Sequence, residues 1–156
     1  MNITITPRGI LQIDGARIVW RNFAGEASKF NRAGDRNFAL VIPDQETAEL
    51  LMDEGWNIKI KPPREEGDSP FMTLAIKIKF NDLGPRCYLQ TNGRRIRLDE
   101  ESIDILDKVD IANVDLDVRP YDWDVNGKQG RTAYLHSICV TQNIVDRFAE
   151  EEFPTE

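Results

Sequence analysis

Histidine and cysteine are scarce in this chain, and long apolar runs are missing. One histidine, His136, removes multi-histidine metal chemistry from consideration. The two cysteines, Cys87 and Cys139, have no CxxC spacing and sit inside apolar, strand-like runs. Both read as small core residues in a reducing compartment. No stretch approaches the roughly 18 apolar residues of a membrane helix. The opening residues, MNITITPRGI, lack the charged start and apolar block of a secretory signal. A GxxxxGKS/T loop and a GxGxxG turn are missing too. These absences point to a cytosolic protein with no membrane span, no metal site and no cofactor.

What is present fits one soluble domain: 156 residues, 40% of them apolar and 30% charged. The net charge of −7 is unevenly spread. Residues 1–97 hold 15 Lys and Arg against 12 Asp and Glu, whereas residues 98–156 hold 5 against 15. A basic working surface and an acidic end on one chain would give this asymmetry, and so would an uneven solvated surface.

Most of the chain reads as strands. A turn at Asp14-Gly15 separates two short extended runs, and RNFALVIP is a strand stopped by Pro43. WNIKIKPP and FMTLAIKIKF alternate apolar and polar residues, which puts Lys59, Lys61, Lys77 and Lys79 on the solvent side. Asn92-Gly93 and Asn126-Gly127 are type I′ hairpin turns. Pairing Thr91 with Arg94 sets Cys87, Leu89, Ile96 and Leu98 on one face and Tyr88, Gln90, Arg95 and Arg97 on the other. Pairing Val125 with Lys128 sets Val114, Leu116, Val118, Leu135 and Cys139 inward, and Arg119, Tyr121, Trp123, Tyr134 and His136 outward. Two helices are expected. One is capped by Asp44 and stopped at Gly55, with Ala48, Leu51 and Met52 as its stripe; the other is capped by Asp99, with Ile103, Ile105 and Leu106 inward. After Ile144 the pattern stops. Residues 146–156 hold five acids, one arginine and two aromatics, and read as an acidic flexible tail after a domain over 1–145.

The stretch RNFAGEASKFNRAGDRNF stands out, because residues 21–38 place a basic, aromatic, glycine-containing loop in an acidic protein. Short strands, long hairpins and two short helices suggest a small mainly-β barrel of the OB-fold type, a scaffold that binds nucleic acid in a basic, aromatic groove. Candidate phosphate contacts are Arg21, Lys29, Arg32, Arg36, Lys59, Lys61, Lys77, Lys79, Arg95 and Arg97. Candidate stacking residues are Trp20, Phe23, Phe30, Tyr88, Tyr121, Trp123 and Tyr134. Trp20 and Phe38 also fit as core. Phe30 has no apolar neighbours in sequence, and so has little core to join.

The spread of RNFAGEASKFNRAGDRNFALVI, GWNIKIKPP, RPYDWDVNGKQGRTAYL and the acidic aromatic tail resembles tailed-bacteriophage single-stranded DNA-binding proteins of the OB-fold class. The resemblance implies sequence-independent coating of single strands in phage replication and recombination, inside the bacterial host cell. It also implies a tail, here Phe148, Glu150, Glu151, Glu152 and Phe153, that docks replication or recombination partners and competes with DNA for the groove. An exposed barrel edge would allow a homodimer.

Two other classes remain in view. A protein-interaction module would use the acidic surface to dock host or phage machinery and need no DNA affinity. A Mg²⁺-dependent nuclease would use Asp115 with Asp117, or Asp122 with Asp124, yet no third acid and lysine follow in a nuclease order.

Overall fold

The two Asn-Gly turns organise the larger part of the chain. Asn92 and Gly93 have φ of +50° and +74°, and Asn126 and Gly127 have +52° and +81°, as a type I′ turn requires. They close the hairpins β7 (Arg86–Thr91) with β8 (Arg94–Leu98) and β9 (Ile111–Val125) with β10 (Lys128–Gln142). Thr91 faces Arg94 and Val125 faces Lys128, the registers expected from the turns. The computed structural model describes residues 1–82 and 84–144, so the tail expected over 146–156 lies outside the described residues.

The remaining strands are β1 (Asn2–Ile5), β2 (Leu11–Asp14), β3 (Ile18–Asn22), β4 (Arg36–Val41), β5 (Ile58–Lys61) and β6 (Phe71–Ile78). Their ladders form one sheet with the path β1-β2-β9-β10-β6-β4-β3; β5 pairs with β6, and β7 joins β8 to β10. The expected barrel is corrected here: the path ends at β1 and β3, and no ladder joins them into a closed cylinder. β2 and β3 are instead linked by the chain itself, where Ala16 N–H donates to Val114 O at 2.8 Å and Val41 N–H to Arg17 O at 2.9 Å. Strand β1, too short and mixed to read in the sequence, pairs with β2.

The expected pair of helices is also corrected. Among the described residues there is one α-helix, α1 (Gln45–Asp53), capped as expected by Asp44, whose carboxylate accepts from Thr47 N–H at 2.7 Å. Ala48 and Leu51 are buried, but Met52 is 44% exposed and leaves the stripe. The second segment is a 3-10 helix of five residues, Ile103–Asp107. Asp99 does not cap it; its Oδ1 is occupied by Glu101 N–H, Ser102 N–H and the Ser102 hydroxyl, which hold a turn before the helix. Ile103 and Leu106 point inward, while Ile105 is 40% exposed. No helix among the described residues is long and apolar enough to cross a membrane.

The core draws on one face of each long strand: Met72, Leu74, Ile76 and Ile78 from β6, Val114, Leu116 and Val118 from β9, Ala133, Leu135, Ile138 and Val140 from β10. Inward positions on β10 change from odd to even because the ladder to β9 slips between Leu135 and Ser137. This bulge leaves His136 exposed and turns Cys139 out of the core position expected for it. Cys87 does lie in the core, where burial pushes its thiol up to about 12 against a smaller opposing effect of Arg97.

The doubled Arg-Asn-Phe proves to be the two stems of one loop. Asn22 pairs with Asn37 across β3 and β4. Phe23 and Phe38 stack inside at 5.1 Å between centroids, with planes 18° apart, and both are fully buried. Phe23 is therefore corrected from a DNA contact to a core residue. Arg21 donates to Leu106 O and Val109 O, both at 2.9 Å, and Arg36 donates to Phe23 O at 2.7 Å. Asp107 completes the joint by accepting from Phe23 N–H and Ala24 N–H at 2.8 and 2.9 Å.

Phe23→Ala should therefore destabilise the fold by about 3–5 kcal/mol in urea unfolding. Phe30→Ala, a few residues away at 92% exposure, should shift it by less than about 0.5 kcal/mol. Equal effects from the two would contradict this division of the loop.

Candidate functional site

Strand β6 carries two faces. Its inward residues are the core series; on the other face Ala75 and Lys77 are exposed, Phe71 is half-buried and Thr73 is buried, with Lys79 continuing beyond the strand's end. Register extends the outward row across four strands: Asn37 of β4 faces Lys77, Lys77 faces Tyr134 of β10, and Tyr134 faces Arg119 of β9. Cations flank the Tyr134 ring, with Arg119 at 4.8 Å and Lys79 at 5.7 Å from its centroid, and Tyr121 meets it edge-on at 6.1 Å.

Two clefts meet along this row, sharing Ala75 and Lys77. One, of about 640 Å³, runs toward Lys59, Trp123 and Thr132. The other, of about 350 Å³, runs past Lys79 to Arg32 and Arg36. Together they form one groove with β6 as its floor, walled by the β3–β4 loop at one side and the β9–β10 hairpin at the other.

Each wall is held by its own bonds. In the loop, the Asn31 amide donates to Glu26 O, Arg32 O and Asp35 O at 2.8, 3.1 and 2.9 Å, and its Oδ1 accepts from Asn37 at 2.9 Å. Lys29 lies 5.8 Å from the Phe30 ring at the tip, and Arg32 pairs loosely with Asp35 at 3.7 Å. On the other side, β9 and β10 run beyond the core, and residues 121–129 are all exposed. Arg131 ties this arm down. It forms two hydrogen bonds to Asp122 at 2.6 and 3.1 Å, donates to Glu54 O at 2.7 Å, and lies 5.1 Å from the buried Trp56 ring. Trp123 packs on Gly130, where a Cβ would come within 2.3 Å of its ring.

The sequence candidates divide accordingly. Lys59, Lys77, Lys79, Tyr121, Trp123, Lys29, Phe30 and Arg32 line or rim the groove. Arg21 is held by two backbone carbonyls, Arg36 lines the cleft while donating to Phe23 O, and Phe23 is in the core. Lys61 pairs with Phe71 at the far end of β6. Tyr88, Arg95 and Arg97 form a cluster of their own on β7 and β8, with both guanidiniums 5.6 Å from the ring. Tyr88 faces Cys139, five residues or about 17 Å along β10 from Tyr134. Arg119, Asn31, Gly130 and Arg131 carry the groove without having been singled out. Hairpin register already set Arg119 opposite Tyr134, Gly130 opposite Trp123 and Arg131 opposite Asp122, whereas nothing local marked Asn31.

The carboxylates considered for a metal are otherwise engaged: Asp115 accepts from Gly15 N–H, Asp117 from the Ser137 hydroxyl, and Asp122 from Arg131. Among the described residues no group of three or more His, Cys, Asp or Glu converges to hold a metal ion.

The sequence matches, over residues 3–153, the family model described as a putative phage ssDNA-binding domain. In fold the chain is similar to the single-stranded DNA-binding protein from bacteriophage Enc34, with a TM-score of 0.58 at 11% identity, over 94% of this chain and 88% of that one. It is similar as well to the bacteriophage Enc34 protein in complex with ssDNA, with a TM-score of 0.56 at 13% identity, over 94% and 93% of the two chains. No curated protein sequence matches it.

Two measurements probe the arm. Gly130→Ala should displace the Trp123 indole, shifting its N–H resonance while the urea midpoint stays close to wild type. An unmoved resonance would mean the ring does not rest on Gly130. The hydrogen bond from Arg131 holds the Asp122 carboxyl below its ordinary value. A depressed folded pKa means the tie is fully present above the unfolded value near ~3.9 and is lost as pH falls through the lower folded one. The Trp123 resonance should then be constant from about pH 8 to 5 and move only below about pH 4.

Proposed function

The chain belongs to the phage single-stranded DNA-binding family, and on that premise we propose that it coats single strands along the β6 groove without reading their sequence. The observation that carries this reading is the row Asn37, Lys77, Tyr134 and Arg119, which crosses the groove floor between two walls. Lys59, Lys77 and Lys79 hold phosphates. Tyr121, Trp123 and Tyr134 offer ring faces on which bases stack, and Lys29, Phe30 and Arg32 cover the strand from the loop. Stacking accepts any base and a lysine accepts any phosphate, so the groove has no means of choosing a sequence.

The protein's role in this reading is binding rather than catalysis, in phage replication and recombination within the bacterial host's cytoplasm. On longer strands, Tyr88, Arg95 and Arg97 add a contact beyond the groove. Docking of replication or recombination proteins falls to the acidic residues 146–156, which compete with DNA for the same cations. Pairing of two copies would use one of the open strand edges, at β1, β3, β5 or β8.

Titration of the protein into fluorescent oligothymidine and its duplex across salt concentrations tests the reading. If four to six phosphates are neutralised, log K should fall against log salt with a slope of about −3 to −4 for the single strand. Lys77→Ala should reduce that slope by about 0.7, and Phe30→Ala should weaken binding by roughly 1–3 kcal/mol. Absence of binding to the single strand at low salt would leave the protein-docking reading in its place.

A further inference from the structure

Trp20 is placed as a residue in a strand rarely is. It is 66% exposed, although tryptophan is on average well buried. Its φ of +54° is in the left-handed region that bulky L-residues avoid and that persists where the surroundings impose it. The cause is a bulge. Val19 pairs with Ala39 and Asn22 with Asn37, so β3 carries one residue more than β4 over this span. The indole is turned out of the core and meets Phe71 edge-on at 5.6 Å between centroids.

That contact locates it. Phe71 alternates with the buried Met72, Leu74 and Ile76, so it shares its face with Ala75 and Lys77, the floor of the groove. Trp20 therefore stands beside the Phe71 end of this face, six residues or about 20 Å along β6 from Lys77, and also lines a separate cleft with Glu26, Asp104 and Lys108. Between Phe71 and Lys77, Thr73 is buried and Ala75 exposed, so no large side chain stands on this face. Lys61 faces Phe71 and Lys59 faces Thr73 across the β5 ladder. Both lysines are exposed, and neither is in an ion pair among the described residues.

We infer that Trp20 ends the groove as a base-stacking residue, the β3 bulge presenting its indole to a nucleobase while Lys59 and Lys61 hold the phosphates leading to it. This rests on the single-strand reading above and lengthens the bound segment to the whole of β6. The competing account is that Trp20 merely shields Phe71, and the two make opposite predictions about affinity.

Trp20→Asn removes the ring and places at this φ a residue that tolerates it. Its Kd for oligothymidine should rise roughly tenfold, with a urea midpoint equal to or above that of wild type. Trp20→Phe, which keeps a ring, should stay within about threefold. Lys77→Ala, measured in parallel, separates the two claims. If Lys77→Ala weakens binding and Trp20→Asn does not, Trp20 is no contact and the groove stands. If neither does, the groove reading itself fails. A readout without mutation covers loss of folding in a variant: the Trp20 ring protons of the wild-type protein should move upfield when oligothymidine is added. Ring protons that stay in place overturn the inference.

Discussion

Strand β10 has two edges and three neighbours, and the layout of the molecule follows from how it shares them. One edge is taken along its length by β9. The other is divided, with Ala133 and Tyr134 pairing with β6 and Ser137 to Thr141 with β7. The bulge between Leu135 and Ser137 lies at the change of partner. It lets the inward positions pass from Ala133 and Leu135 to Ile138 and Val140 without exposing either pair. Because β6 and β7 follow one another along the same edge, Lys77 and Tyr88 lie on one outer surface yet cannot be neighbours. The groove belongs to the β6 half, and the arginine-flanked tyrosine to the β7 half.

This division explains which parts of the molecule were legible in the sequence. Features written locally came through: the Asn-Gly turns, the Asp44 cap, the alternation of β6, and the faces of both hairpins up to the bulge. Features that depend on a distant partner did not. Nothing near His136 announces a slip of one residue, so Cys139 was placed inward. Closure of the sheet is a relation between β1 and β3, more than ten residues apart in a pattern that fits a barrel equally well. The 3-10 helix was read as an α-helix because Ile103 and Leu106 suit both spacings at so short a length. The loop offers a sharper lesson. Arginine, asparagine and phenylalanine would serve a ligand or the loop itself, and only the contacts decide. Arg21 and Arg36 went to carbonyls, Asn31 and Asn37 to the loop's turns, and Phe23 to the core, leaving Lys29, Phe30 and Arg32 facing solvent.

The same accounting resolves how an acidic protein can present a surface to a polyanion. Net charge acts at long range and is screened within about 8–10 Å at ordinary salt, so a bound strand responds chiefly to the charges lining its path. Along the groove the nearby acids are largely tied up: Asp122 by Arg131, Asp35 by Arg32, and Asp107 by two backbone amides of the loop stem. Lys59, Lys77 and Lys79 form no ion pair among the described residues. The charged side chains that line the floor, Lys59, Lys77 and Lys79, are therefore cationic while the chain as a whole carries −7.

Arg131 and Asn31 bear on affinity in a different way. Neither needs to touch a ligand, yet each holds one wall of the groove in place before a strand arrives. An arm whose residues 121–129 are all exposed has no core to fix it, and a loop rich in glycine would otherwise lose freedom on binding. Ordering such segments at the moment of association commonly costs about 0.5–1.5 kcal/mol per immobilised side chain. The Arg131 tie to Asp122 and Glu54 and the Asn31 bonds to three carbonyls move part of that cost into folding. On the proposed reading, the groove's cations and rings would then meet a strand already in position. A surface with few phosphate contacts and no base-specific ones would, on that reading, depend on this, because it would have little interaction energy left for organising itself.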